Sequence, residues 1–172
     1  LSGVGASTVT MAPIKFAPSF NGIASVTGTE DTELVFSFAD MLTLIGAAEV
    51  DDADSALTVS ITNVANVSLA LTGGTGGTGT TFTFTPTLNF VGNMTFDYQV
   101  SDDDGAPSAV GAATVTLAPI NDAPTVNAIA TDTGTEDTDQ VYTFAEMLTL
   151  IGAADVDDAD SALTVSITNL AN

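Results

Sequence analysis

The residues of this 172-residue chain best equipped for chemistry are its carboxylates, and they are clustered. Glu30 and Asp31 form one group, Glu49, Asp51, Asp52 and Asp54 a second, and Asp102, Asp103 and Asp104 a third. Further along stand Asn121 with Asp122, then Glu136 with Asp137, then Asp155, Asp157, Asp158 and Asp160. These groups hold sixteen of the 22 acidic residues, against a single basic residue, Lys15, and the formal charge is −21. Crowding like charges into short segments costs stability unless a cation cancels them. Calcium, a hard ion that takes roughly 6–8 oxygen ligands in a flexible shell, suits such clusters better than magnesium, which demands a tighter octahedron. Taken singly, each cluster reads as a solvated turn, because Asp and Asn favour turns for backbone reasons alone. Their recurrence with almost no balancing base favours calcium.

Other chemistries lack their parts. There is no Cys and no His, which removes disulfides, thiolate nucleophiles, the bases that activate serine, and the usual zinc ligands. Paired carboxylates can cleave glycosides, but these acids fall in exposed turns, where a general acid is hard to keep protonated. The glycine-rich run Gly73–Gly79 is followed by neither Lys nor a helix start, so it is read as a plain loop and not a phosphate cradle. Asn66 and Asn93 begin acceptor-like tripeptides that are read as chance matches. The negative field argues against nucleic acid and against anionic membrane surfaces. No apolar run approaches the ~20 residues of a membrane span.

The elements that must position the acids repeat along the chain. Residues 7–66 align without a gap to residues 113–172, and the run from Val50 to Asn63 recurs identically from Val156 to Asn169. The expected organisation is the last strand and linker of a preceding repeat over residues 1–18, one complete repeat over 19–119, and the first part of the next over 120–172. A window on a longer array is the simpler reading of this frame. A subunit that exchanges strands with its neighbours is the sharper one, although residues 1–18 can supply only one of the strands that 120–172 lacks.

Within the complete repeat, short runs rich in Val, Ile, Thr, Phe and Tyr alternate with turn signals. Seven strands are expected: Ser19–Val26, Glu33–Phe38, Ala56–Thr62, Val67–Leu71, Thr81–Thr85, Met94–Val100 and Ala109–Leu117. Phe38, Met41, Leu42 and Ile45 have helical spacing, so a short helix or turn is expected after the second strand, plugging one side of the core. The fold class is all-β: tandem Ig-like seven-strand antiparallel β-sandwich repeats. The inward set is Leu34, Phe36, Phe38, Leu57, Val59, Ile61, Phe82, Phe84, Phe96, Tyr98, Val100, Val115 and Leu117. This topology brings Asp51, Asp52 and Asp54 toward Asp102, Asp103 and Asp104 at one end. It points Glu30 and Asp31 to the other end, toward Asn121, Asp122, Asp155, Asp157, Asp158 and Asp160.

The order NDAP, EDT, DVDDADSALTVSITN, FTFTPTLNFVGNMTFDYQVSDDDG and ATVTLAPINDAP resembles the bacterial cadherin-like "tandem-95" repeat over essentially the whole chain. The resemblance implies a secreted, extracellular β-sandwich in an adhesin or biofilm-matrix protein, serving as a calcium-rigidified spacer or fibre unit. Its partners would be neighbouring repeats and identical chains. It places metal ligands on Glu136, Asp137, Asp155, Asp157 and Asp122 and their first-repeat counterparts. One departure stands out: KFAP at Lys15–Pro18 occupies the place of NDAP at Asn121–Pro124. That junction is expected to bind calcium weakly or not at all, or to use Lys15 itself to neutralise the acids. A module that grips a glycan or receptor directly is the alternative function. It is weakened by the absence of Trp and by Phe residues that fall on buried strand positions.

Overall fold

The structure, a computed structural model, describes residues 5, 7–11, 14–50, 56–129 and 131–168. The chain divides into two compact units, Leu1–Pro119 and Ile120–Asn172.

In the first unit the chain makes β1 (Ser19–Phe20), β2 (Val26–Thr29), β3 (Leu34–Ser37), helix α1 (Phe38–Ile45), β4 (Ala47–Ala48), β5 (Thr58–Ala65), β6 (Val67–Thr72), β7 (Thr81–Pro86), β8 (Gly92–Ser101) and β9 (Gly111–Ala118). One sheet has the order β2-β9-β8-β5 and the other β3-β7-β6, with β1 and β4 as a small separate ladder. Side chains from both sheets and from α1 meet in one core. Period-two alternation dictates the arrangement: along β8, Met94, Phe96, Tyr98 and Val100 are buried while the residues between them are not. All thirteen residues expected to point inward do so, with Leu34, Phe36 and Ile61 half-buried at the core margin.

The expected first strand is broken in two. Gly22 takes φ +96, and the N–H groups of Asn21 and Gly22 donate to the carbonyls of Gly46 and Ile45, which turns the chain aside after β1. The chain re-enters the sandwich as β2, which runs parallel to β9 with Val26 opposite Val115. The sandwich is therefore not wholly antiparallel, because this half-strand crosses to the far sheet.

Helix α1 is specified locally. The hydroxyl of Ser37 accepts from the Asp40 N–H at 3.2 Å, and the Asp40 carboxylate accepts from the Ser37 N–H at 3.1 Å, a reciprocal capping box. Gly46 closes the helix in the left-handed conformation at φ 65. Phe38, Met41, Leu42 and Ile45 form its buried face, which plugs the core as the spacing implied.

Two glycines are required by close approach. A Cβ at Gly111 would lie 2.3 Å from the Tyr98 ring across the β8–β9 ladder. A Cβ at Gly76, φ +112, would lie 2.3 Å from the Val59 carbonyl oxygen. The loop around Gly76 is anchored: the Val59 N–H donates to the Gly76 carbonyl at 2.8 Å, and the Gly76 N–H donates to the buried Thr80 hydroxyl at 3.0 Å. The glycine run thus serves backbone packing against β5, which the composition alone did not distinguish from a plain loop.

The second unit contains helix α2 (Phe144–Ile151), a 3-10 turn (Asp160–Ala162) and an isolated antiparallel bridge, Thr125 to Ala154. Thr143 and Glu146 repeat the capping box, and Gly152 repeats the left-handed close at φ 56.

Ser37→Ala is expected to lower unfolding stability by about 1 kcal/mol in urea titration, as loss of an N-cap does. Hydrogen bonds from the Ser37 hydroxyl and then its N–H hold the Asp40 pKa below its ordinary value; at Glu146 the Thr143 N–H leads and the hydroxyl follows. Folded values below unfolded ones mean that each group's contribution is present above the unfolded pKa and fades as pH falls through the folded one. Asp40→Asn should remove part of the acid-side pH dependence of unfolding and leave its alkaline side unchanged. Gly111→Ala should cost roughly 1–3 kcal/mol through overpacking against Tyr98.

Candidate cation-binding loops

The acids at one end of the first unit sit in the turn that joins β8 to β9. The alternation of β8 does not stop at its last residue: Asp102 continues the inward parity of Tyr98 and Val100 and is 4% exposed. Its Oδ1 accepts from the Ala106 N–H at 2.7 Å, its own N–H donates to the Ala106 carbonyl at 3.3 Å, and the Gly105 N–H donates to its carbonyl at 3.2 Å. Its Oδ2 is buried and has no hydrogen-bond partner among the described residues. An ionised carboxylate oxygen held away from water without a donor is costly. Asp103 and Asp104 are exposed. Asp104 Oδ2 lies 3.1 Å from Lys15 Nζ, a partly exposed ion pair. The one basic residue of the chain thus neutralises an acid of this turn, which was one of the two outcomes foreseen for its substitution at the linker. Asp51, Asp52 and Asp54, expected to face this turn, lie outside the described residues. The registers agree with the topology behind that expectation, since Thr58 of β5 pairs with Ser101 of β8.

At the opposite end, β2 finishes beside the close of β9, and the Glu30 N–H donates to the Ala118 carbonyl at 2.9 Å. Glu30 is 1% exposed, on the same parity as Val26 and Gly28. Asp31 adopts φ 55, and its Oδ1 accepts from the Asn89 N–H at 2.8 Å, so it closes a turn of its own sheet end.

In the second unit, hydrogen bonds draw together most of the residues singled out there. The Asp122 N–H donates to Asp157 Oδ2 at 2.6 Å, and Asn121 Nδ2 donates to the Asp122 carbonyl at 2.7 Å. Asp155 Oδ1 accepts from the N–H groups of Asp157 and Asp158 at 2.9 and 3.0 Å. Asp160 opens the 3-10 turn. Glu136 and Asp137 form a separate exposed turn in which Asp137 takes φ 59.

Among the described residues no group of three or more carboxylates is arranged to hold a metal ion. What the loops offer is a set of hard oxygen donors, with Asp102 Oδ2 buried and lacking a donor. Carboxylate and carbonyl oxygens are the ligand type that a calcium ion takes, so the residues present are chemically of the kind it would need. The burial that sets Asp102 and Glu30 apart from their neighbours was legible in principle, by continuing the strand parity one residue into each turn.

Asp102→Ala should cost roughly 1–3 kcal/mol in urea titration, since it strips the Ala106 N–H of its acceptor, while Asp103→Ala should stay within about 0.5 kcal/mol. Lys15→Met should cost no more than about 1 kcal/mol, and that difference should shrink in high salt.

The profile of the family described as cadherin-like domain matches residues 14–118. No curated protein matches the chain in sequence. Among solved structures, an endo-fucoidan hydrolase of glycoside hydrolase family 107 aligns at 18% identity with a TM-score of 0.44, over 60% of this chain and 14% of that one. The extracellular cadherin domains 1–5 of protocadherin gamma B2 align at 21% identity with a TM-score of 0.43, over 67% of this chain and 22% of that one. The chain thus spans less than a quarter of either structure.

Proposed function

Because the chain belongs to the cadherin-like domain family, we propose that it is a non-enzymatic, calcium-stabilised module of an extracellular protein, a rigid spacer or fibre unit of an adhesin or biofilm matrix. The observation that carries this reading is the buried Asp102 carboxylate, with one oxygen bound to backbone and the other without a donor among the described residues. Asp102, with Asp103 and Asp104 beside it, would hold a divalent cation at that turn, and the ion would supply charge neutralisation there. The candidate ligands in the first unit are Asp102, Asp103 and Asp104, with Asp51, Asp52, Asp54, Glu30 and Asp31. Those in the second unit are Asn121, Asp122, Glu136, Asp137, Asp155, Asp157, Asp158 and Asp160.

The protein's own residues already do part of the work. Ala106 and Gly105 fix the turn around Asp102, and in the second unit the Asp155 and Asp157 carboxylates accept from backbone N–H groups while the Asn121 side-chain amide donates to the Asp122 carbonyl, which pre-orders those loops. Lys15 neutralises Asp104 at the first linker, where the second linker carries Asn121 and Asp122 instead. The charge of −21 makes the rest of the surface repulsive toward itself and attractive to cations.

A ligand that binds only the native state stabilises it by RT ln(1 + [L]/Kd), about 2.7 kcal/mol at one hundred times Kd. Melting the chain in calcium and then in excess chelator should therefore show a calcium-dependent rise on the order of 10 °C, and a smaller rise in magnesium. Asp102→Asn should reduce the calcium increment while Asp139→Asn leaves it intact. An identical melting point in calcium and chelator would refute the metal reading and leave the acids as solvation.

A further inference from the structure

The acids that dominate this chain stop at Asp54 and resume at Asp97, with no charged residue between them. That stretch makes β5, β6, the glycine loop and β7. In a chain of charge −21 it is the longest run with no charge to repel a second copy.

Four strands of the first unit lie at sheet edges: β2 and β5 in one sheet, β3 and β6 in the other. An edge strand is a template for pairing unless something blunts it. Three of these are blunted. β2 is four residues long and runs directly into Glu30. On β5 the Val59 N–H is bound to the Gly76 carbonyl, and the ladder shifts register between Thr62 and Ala65. On β3 the Ser37 N–H is taken by the Asp40 carboxylate, and helix α1 begins at the next residue. Strand β6 has none of these devices: Val67–Thr72 carries no charge, no proline and no shift of register.

The phase of the ladder decides which groups of β6 are open. The Thr87 N–H donates to the Asn66 carbonyl at 3.1 Å, and the Phe38 N–H to the Thr80 carbonyl at 2.8 Å. In an antiparallel pair alternate residues turn both backbone groups toward the partner. The registers therefore commit Ser68, Ala70 and Thr72 to β7, and turn the N–H and C=O of Val67, Leu69 and Leu71 to the open side. Among the described residues no backbone bond from elsewhere reaches these three. Val67 and Leu69 pack against the core, whereas Leu71, on the same parity, is 41% exposed, so apolar cover runs out along this edge.

We infer that the β6 edge is the surface through which two copies of this chain pair, β6 to β6 and antiparallel, about a two-fold axis at Leu69. Leu71 then meets the second copy's Val67, Leu69 meets its own counterpart, and about six ladder bonds close. The outward side chains beside the axis, Ser68 and Ala70, are small and uncharged, so the two three-stranded sheets join without a bulky or charged group at the seam. A second copy fits this edge better than a basic partner, which the acidic loops would draw elsewhere. The pairing does not depend on the metal reading.

The test is sedimentation of the full chain together with amide exchange by NMR, in calcium and again in excess chelator. A dimer should form in both, and should strengthen in about 0.5 M salt, where repulsion between the acidic surfaces is screened. On raising the concentration, the amides of Val67, Leu69 and Leu71 should slow roughly tenfold or more, while those of Ser68, Ala70 and Thr72 stay protected throughout. Ser68→Glu with Ala70→Glu sets like charges opposite one another across the seam and should weaken association roughly tenfold or more. Ser60→Glu with Thr114→Glu adds the same charge to the outer face of the other sheet and should leave association within about twofold. Leu71→Pro removes an open N–H without touching a bond to β7, and should also weaken the dimer. A chain that stays monomeric to about 1 mM overturns the inference. So does association that appears only with calcium, or that ignores both β6 variants, since either would place the contact on another surface.

Discussion

Strand β8 is laddered on both sides, to β5 and to β9, and its inward residues form the middle of the core. That double pairing is the constraint on which the other features of the first unit rest. It sets the side-chain parity of both neighbours, so Val59 and Val115 face the same interior as Val100 and Met94. It requires Gly111 opposite Tyr98, since only a residue without Cβ leaves room for the ring. It also delivers Asp102 to the inside of the turn, because parity carries past the last ladder bond. The most buried acid of that turn is thus a product of sheet geometry before it is anything chemical.

The charge pattern divides along similar lines. Some carboxylates serve local backbone: Asp31 accepts from Asn89, Asp155 from two successive N–H groups, and Asp40 and Glu146 from their helix N-caps. These are turn and cap functions of the kind expected for Asp in loops. Asp102 differs, because one of its oxygens is satisfied by backbone and the other is buried without a donor among the described residues. An acidic stretch such as Asp102, Asp103 and Asp104 therefore holds residues of different electrostatic standing, which composition alone treats as equal.

What could be read from sequence was what depends on near neighbours or on strict alternation. Helix α1 and its copy α2 form in both units because the cap, the buried face and the closing glycine all lie within ten residues of one another. The inward set was legible because the strands alternate cleanly. The parallel β2–β9 pairing was not, since it depends on Gly22 redirecting the chain and on a partner some ninety residues away. The pairing of Lys15 with Asp104 was foreseen only as one option, because two distant loops must be brought together before it exists. The same TVSIT sequence being strand in one unit and unpaired in the other shows how little of β-structure is local.

That identity has a kinetic side. During folding, β8 meets two stretches with the same sequence, residues 58–62 before it and 164–168 after it, and no side chain in those stretches marks the correct one. Only connectivity discriminates. The wrong partner is little more than twice as far along the chain as the right one, and each doubling of a loop costs only about 0.6 kcal/mol. The tight Ala65-to-Val67 connection, which hands β5 on to β6 and so to the second sheet, tips the choice further toward the native pairing. Sequential emergence during synthesis helps in the same direction, because the first candidate is in place before the second exists. A chain refolded from denaturant has no such ordering, and mispaired species joining the two units are the characteristic error its repeat invites.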